Sequence, residues 1–252
     1  MMRMLCKITF SSNDKIFLPM SYNYIIQGVL YKFINEDSFA DFMHNKGYTY
    51  NKRSYKLFSF SNVLEKPLLV DREKKHFVFP KDISIYFSSI DNEFFKYVFN
   101  SIINTEDFIY VSQNRTSISK VELIKQKISE KEVIKTMSPI TTYSTFVTFE
   151  NSKKTYYYNP YEKEFSTNIQ KNLINKYQAL YDEPPQNSEF SIVPRGTPHE
   201  KIIKYKDFII KGYTGIFEIE GSKELMDMAF CAGLGSKNSQ GFGLIIKNDL
   251  DK

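Results

Sequence analysis

Tryptophan is absent from this sequence, and cysteine, histidine and glycine are scarce: two, three and ten in 252 residues. Each shortage excludes something. Cys6 and Cys231 lie near opposite ends and neither belongs to a CxxC pair, which argues against a zinc knuckle or a disulfide framework. His44, His76 and His199 are scattered, with no HxxEH or HxH spacing, so a metal centre has little support. No apolar run approaches the ~20 residues of a membrane-spanning helix. The opening "MMRMLCKITF" is apolar only briefly, is interrupted by Lys7, and reads as a strand rather than a secretory leader. A reduced, soluble, cytoplasmic protein is the expectation.

What is present sets the scale. Apolar residues make up 42% of the chain and aromatics 16%, all Phe and Tyr, enough for a substantial core. The formal charge of +5, from 34 basic and 29 acidic residues, permits a nucleic-acid partner without demanding one.

The hydrophobic periods give an order of elements. "MLCKITF" is a strand. Ile25, Ile26, Val29, Leu30 and Phe33 share one face of a helix beginning near Ser21. A short helix follows, with Ser38 as N-cap, Asp41 at its third position and Gly47 just past its end. "YKLFSFSNVL" and "HFVFPKDISIYF" are strand-like, "DNEFFKYVFNSII" is a helix and "DFIYVSQ" a strand. The second half repeats the order. It has a strand and loop in "EVIKTMSPITTYSTFVTF" and a helix with Asn159 as N-cap, Pro160 first and Glu162 completing a capping box. That helix buries Phe165, Ile169, Leu173, Tyr177 and Leu180. Strands in "FSIVPRG", "DFIIKGY" and "TGIFEIEG", a helix in "SKELMDMAFCA" and a closing strand in "GFGLIIKN" complete it. Two βαββαβ units in tandem predict an α+β chain of two ferredoxin-like domains, also the topology of RNA-recognition modules. The seam is expected in the lysine-rich stretch 120–135, giving domains 1–122 and 123–252.

Glycine is scarce except in one place. Four of the ten fall in "GLGSKNSQGFG", residues 233–243, and only Gly28 and Gly47 precede Gly196. A dinucleotide fingerprint fails because Asn238 stands at the third glycine position and the helix precedes the loop. A P-loop fails because Phe242 follows Gly241. "QGFGLI" matches the aromatic RNA-binding strand motif only in part, since Gln240 replaces its basic residue and Leu244 its second aromatic. That motif also sits on a third strand, and this is the last. The remaining readings are an anion-binding loop of exposed N–H groups, with Lys237 adding charge and Ser236, Asn238 and Ser239 hydrogen bonds, and a helix cap followed by an ordinary turn.

The helix followed by "GLGSKNSQGFGLI" near the chain end resembles the C-terminal signature of the CRISPR-associated repeat-processing endoribonucleases, within the repeat-associated RNA-binding superfamily. "QGVLY" (27–31), the histidine in "FMHNKGY" (42–48), "KLFSFS" (56–61), "SPITTY" (138–143) and "PYEKEF" (160–165) follow in the family's order and approximate spacing. The resemblance implies two ferredoxin-like domains. It implies cleavage of CRISPR precursor RNA within the repeat, with no metal and no cofactor, to make guide RNAs for antiviral defence. The RNA's own 2′-hydroxyl attacks the adjacent phosphate, leaving a 2′,3′-cyclic phosphate and a 5′-hydroxyl. By motif match the implied catalytic residues are Tyr31, His44 and Lys56. The glycine loop (Gly233, Gly235, Ser236, Lys237, Asn238, Ser239, Gly241, Phe242) is the implied RNA-binding element. The implied partner is the precursor transcript, with the CRISPR interference complex a further candidate and no membrane. Monomer and homodimer both stay open.

Taken alone, these residues carry the chemistry unevenly. Tyr31 falls nearly opposite the apolar stripe of its helix, beside Tyr24, Gln27 and Gly28, where a surface tyrosine packing on the second domain is the plainer reading. Gly28 costs its helix roughly 1 kcal/mol relative to alanine, and room for a ligand backbone is one reason to keep it. His44 points off the core face formed by Phe39, Phe42 and Met43. An imidazole can serve as acid or base in metal-free RNA cleavage, worth about 10²–10⁴ in rate. From Asp41 to Glu65 no acidic residue intervenes, while Lys46, Lys52, Arg53 and Lys56 do. That run suits a phosphate backbone, and Lys52 and Arg53 are RNA-binding candidates. Strand alternation does not fix the face of Lys56, and Lys52 is the local alternative. Tyr156, Tyr157 and Tyr158 beside Lys153 and Lys154 read first as an ordinary strand and second as a base-stacking surface. Besides an endoribonuclease, a non-cutting RNA-binding subunit of the same superfamily and a ferredoxin-like protein for a small anion remain open.

Overall fold

The structure is a computed structural model that describes residues 2–34, 36–105, 108–149, 151–206 and 208–249. The first half builds an antiparallel sheet from β1 (Met2–Ser11), β2 (Phe58–Phe60), β3 (Asp82–Ser89) and β4 (Asn114–Lys127), in the order β2-β3-β1-β4, with Ile109–Val111 at the edge beside β4; the strand expected in "DFIYVSQ" is this short edge strand, and the long β4 that follows it was not expected. Helices α1 (Asn23–Lys32) and α2 (Asn92–Ile103) are its two crossovers. The second half repeats this with β5 (Lys131–Thr136), α3 (Lys163–Tyr181), β6 (Phe190–Pro194), β7 (Ile216–Gly221), α4 (Lys223–Ala232) and β8 (Ile245–Lys247). Its sheet order is β6-β7-β5-β8, the same permutation. The fold is α+β, two tandem ferredoxin-like units.

The expected seam at 122/123 falls inside β4, which pairs with β1 from Ser117 to Lys127. A strand cannot leave one sheet for another in mid-ladder. We therefore propose the division at residues 128–130, still within the lysine-rich stretch.

Alternation explains the first sheet. Cys6, Ile8 and Phe10 of β1 face the core over which α1 and α2 lie, with Ile83, Ile85 and Phe87 of β3 beside them. The opposite face is covered too: Leu5 and Tyr86 pack against Leu244 and Ile246 from the end of the chain. That second burial is why β3 is buried along its length after Asp82. Ser88 donates its hydroxyl to the carbonyls of Phe230 and Cys231 at 3.1 and 3.0 Å, and Arg3 pairs with Asp227 at 2.8 Å. Helix α4 is thus locked against the first sheet, which holds the two halves in one arrangement.

Several local expectations are corrected. Helix α3 starts at Lys163, with Glu162 rather than Asn159 as its cap. The reciprocal bonds of the predicted box form, Glu162 Oε2 accepting from Asn159 N and Asn159 Oδ1 from Tyr161 N, but they close a turn ahead of the helix. The short helix starts at Asp37, one residue before its predicted cap, and the side chain of Ser38 lies outside the described residues. It continues as a π-helical turn, Phe42–Lys46, that ends at Gly47. "HFVFPKDISIYF" breaks at Pro80 into His76–Phe79 and β3. His199–Tyr205 is a strand the sequence reading missed; it forms a hairpin with Phe208–Thr214.

Candidate active site

Tyr31 from α1, His44 from the π-helical turn and Lys56 from the connection before β2 meet in one groove of about 660 Å³. Tyr31 stands in the last turns of α1, half-buried, with its ring edge-on to Phe58 at 5.7 Å and to His44 at 5.8 Å. Its hydroxyl donates to the Met43 carbonyl at 3.5 Å. Burial raises the phenol above its ordinary pKa, so it stays protonated at neutral pH.

His44 sits at the exposed centre of the π-helical turn, while the neighbouring Met43 is fully buried and anchors that turn. Its Nδ1 lies 2.9 Å from Asn45 Oδ1, and Asn45 Nδ2 donates to Asp41 Oδ1 at 2.5 Å. Because the Asp41 carboxylate accepts from the amide nitrogen, the amide oxygen faces the imidazole, and Nδ1 carries the proton.

Lys56, expected at the opening of the strand "KLFSFS", instead precedes β2 by two residues. Leu57 between them has φ +55° and is 3% exposed. This left-handed residue breaks the alternation and turns Lys56 back, so that Nζ donates to the His44 carbonyl at 3.1 Å. Partial burial lowers the Lys56 pKa.

The facing wall belongs to the second half: the tip of the 199–214 hairpin and the glycine loop, through Tyr205, Lys206, Phe208, Lys237 and Ser239. The Tyr205 hydroxyl donates to Gln27 Oε1 on α1, and Asn23 Nδ2 donates to the carbonyls of Gln240 and Gly241 at 3.1 and 3.2 Å. No acidic side chain lines this groove among the described residues, and Lys56, Lys206 and Lys237 all do.

The glycine loop is built differently from its sequence reading. Gly233, Gly235, Gly241 and Gly243 all have positive φ. A Cβ on Gly241 would come within 2.5 Å of Asn23 Nδ2; one on Gly235 would collide with the Thr141 carbonyl, and one on Gly243 with that of Leu234. The backbone these glycines approach is therefore the protein's own. The N–H groups of Leu234, Ser236, Gln240, Gly241 and Gly243 all donate within the protein, which removes them from an anion nest. Asn238 is 8% exposed and its amide bridges the Leu234 and Phe242 carbonyls at 3.0 Å each. Phe242 is fully buried beside Tyr205 and Ile210, with no face for a base. Of the expected RNA-binding set, the three glycines, Asn238 and Phe242 shape the loop, and Ser236, Lys237 and Ser239 form its partly exposed surface.

Lys52 and Arg53 are exposed at the turn of the hairpin Tyr48–Tyr50/Arg53–Tyr55, which packs on α3, and neither lines the groove. Lys56, not Lys52, is the lysine beside His44.

One charged residue was missed. Lys176 on α3 is 3% exposed, and its Nζ donates to the carbonyls of Gly233 and Gly235 at 2.7 and 3.1 Å. Burial pushes its pKa down to about 7. The signal was present: Lys176 falls on the predicted apolar stripe, between Leu173 and Leu180. Among the described residues no cluster of three or more His, Cys, Asp or Glu is placed to hold a metal, and no helix is long and apolar enough to cross a membrane.

Residues 121–246, half of the chain, match the family model described as "CRISPR associated protein Cas6, C-terminal". The chain is similar to the CRISPR-associated endoribonuclease Cas6 1 of Methanocaldococcus jannaschii, with 28% identity over 240 residues, covering 91% of this chain and 87% of that one. It is also similar to the CRISPR-associated endoribonuclease Cas6 of Pyrococcus furiosus, with 26% identity covering 97% and 89%. A solved structure of a Cas6-related gene product from P. furiosus superposes with a TM-score of 0.84 at 21% identity, covering 98% of this chain and 99% of that one, a likeness of fold. With that match spanning the glycine loop and both sheets ordered alike, the chain belongs to the Cas6 family.

Proposed function

We propose that this protein is an endoribonuclease that cuts CRISPR precursor RNA within the repeat and releases guide RNAs for antiviral defence in the cytoplasm of a prokaryotic cell. The observation that carries this is the meeting of Tyr31, His44 and Lys56 in one groove whose other wall is the surface of the glycine loop. The names of its relatives agree.

The chemistry follows from these groups and the RNA. The 2′-oxygen loses its proton and bonds to the adjacent phosphorus, the bond to the 5′-oxygen breaks, and that oxygen gains a proton. The products are a 2′,3′-cyclic phosphate and a 5′-hydroxyl, and neither step calls for a metal. With Nδ1–H engaged by Asn45, Nε2 of His44 is the nitrogen left to exchange a proton with the reacting oxygens. Tyr31, a neutral phenol whose pKa burial raises further, enters as a hydrogen-bond donor. The Lys56 ammonium offsets charge that accumulates on the phosphate oxygens.

The test is incubation with cognate repeat RNA in EDTA, followed by analysis of the ends. Cyclic-phosphate ends, blocked by deoxyribose upstream of the cut, are the expected result. His44→Ala should keep RNA binding and lose cleavage by about 10²-fold or more. Tight binding without cleavage by the wild type would support a non-cutting RNA-binding subunit instead.

A further inference from the structure

The groove runs on past the three catalytic candidates, into a stretch that takes no part in proton transfer. Its floor is the outward face of α1, where Tyr24, Gly28 and Tyr31 stand one turn apart. Tyr24 is 39% exposed. Gly28 is exposed and is not among the residues with positive φ. A Cβ added there would meet no atom within 4 Å. Every glycine of the loop is demanded by φ and by crowding; Gly28 is demanded by neither. Glycine disfavours a helix interior, so the fold gains nothing from it, and what it leaves is open space on the groove floor.

Across that space stands the hairpin tip. Phe208 lines the groove and is 69% exposed, although Tyr205 and Ile210 on the same hairpin are buried. The bond from Tyr205 to Gln27 ties this wall to α1, so the aromatic is held opposite the helix. Lys206 and Lys237 line the same groove. An exposed flat apolar ring, open floor space and two cations form a set that fits a nucleobase with its adjoining phosphates.

We propose that the space between the Tyr24–Gly28 face of α1 and Phe208 is a nucleobase subsite, which takes a base next to the scissile phosphate and stacks it on Phe208. The inference rests on the endoribonuclease reading and adds a reason for it. In a stacked strand the 2′-oxygen is not aligned with the bond to the leaving 5′-oxygen. Drawing one base out of the stack swings the sugar, and a fixed platform for that base holds the aligned geometry. Phe208 is then a positioning residue.

The experiment uses repeat RNA made uncleavable by one 2′-deoxyribose at the cut, with 2-aminopurine placed in turn at each nucleotide flanking it. The wild type should quench the fluorophore at one of these positions. Phe208→Ala should abolish that quench, weaken RNA binding by about 5- to 100-fold, and slow single-turnover cleavage of the normal RNA even at saturation. Phe208→Tyr, which keeps the ring, should restore all three. Gly28→Leu should unfold at a temperature no lower than the wild type yet lose the quench, separating groove occupancy from stability. The subsite is overturned if wild type and Phe208→Ala quench and cleave alike, or if Gly28→Leu cleaves normally. If the wild type neither binds nor cuts repeat RNA, the endoribonuclease reading falls and the subsite with it. If it cuts while no quench depends on Phe208, only the subsite falls.

Discussion

The Lys176 ammonium donates to the Gly233 carbonyl over 2.7 Å from inside the protein, beneath the glycine loop. A second bond reaches the Gly235 carbonyl. A charge buried without a carboxylate partner is costly, so it persists here by satisfying two carbonyls that the loop's tight path turns inward.

This burial predicts a pH dependence. The Lys176 pKa is about 7 in the folded chain against an ordinary 10.5. Between these values the unfolded chain holds a proton that the native chain does not, so stability rises with pH from about 7 upward; below 7 both states are protonated and the full penalty applies. From pH 7 to 8.5 the gain is at most about 2 kcal/mol. Urea denaturation across that range should show it in the wild type and not in Lys176→Met. The difference between the two proteins isolates this residue, because Cys6 and Cys231 contribute equally to both. Parallel profiles would reject the assignment.

Two glycines should respond in opposite directions. Gly243→Ala places a side chain at φ +74° against the Leu234 carbonyl, and should cost about 2–3 kcal/mol. Gly28→Ala, with open space around it, should gain about 0.5–1 kcal/mol. Thermal denaturation of the two variants is a direct comparison.

Lys56 and Lys52 separate on cleavage. Lys56→Ala removes the ammonium that bonds the His44 carbonyl, and should slow single-turnover cleavage by about 10²–10³-fold. Lys52→Ala, outside the groove, should stay within about twofold, since it touches none of the reacting groups. Equal losses would return Lys52 to the site.

Asn45→Ala frees the ring of His44 to rotate and change tautomer. It should lower kcat by about tenfold with little change in KM, because orientation rather than binding is lost. A rise in KM alone would make Asn45 a binding residue.

Salt dependence tests the loop surface. Replacing Lys237 with Gln should reduce the slope of log affinity against log salt by about 0.7, the value for one phosphate contact on a single strand. The same change at Lys171, on the exposed side of α3, should leave the slope unaltered.

The fold was largely legible because its signals are local. Alternation in β1 and the apolar stripe of α1 depend on neighbours in sequence, as do the caps that the structure shows at Asp91 on α2 and Ser222 on α4. The hairpin from His199 to Thr214 was half missed because "HEKIIKY" has exposed side chains along most of its length and pairs with only one strand. Tyr31 and His44 were legible through their motifs, and Gly28 through its cost to the helix.

What the sequence determined by itself is the doubled βαββαβ order, the basic run around His44 and the glycine loop as the feature needing explanation. What only the tertiary structure decided is which atoms face which space. The left-handed Leu57 carries Lys56 to His44, where strand alternation was silent. Packing against Thr141, Asn23 and Phe60 turns the glycines inward and leaves Lys237 and Ser239 on the groove. Phe208 and Lys176 gain their places from contacts between the two halves or within the second half's core, at long separations in the chain. Periodicity reports the face of a single helix or strand, and it carries no information about what another element brings against that face.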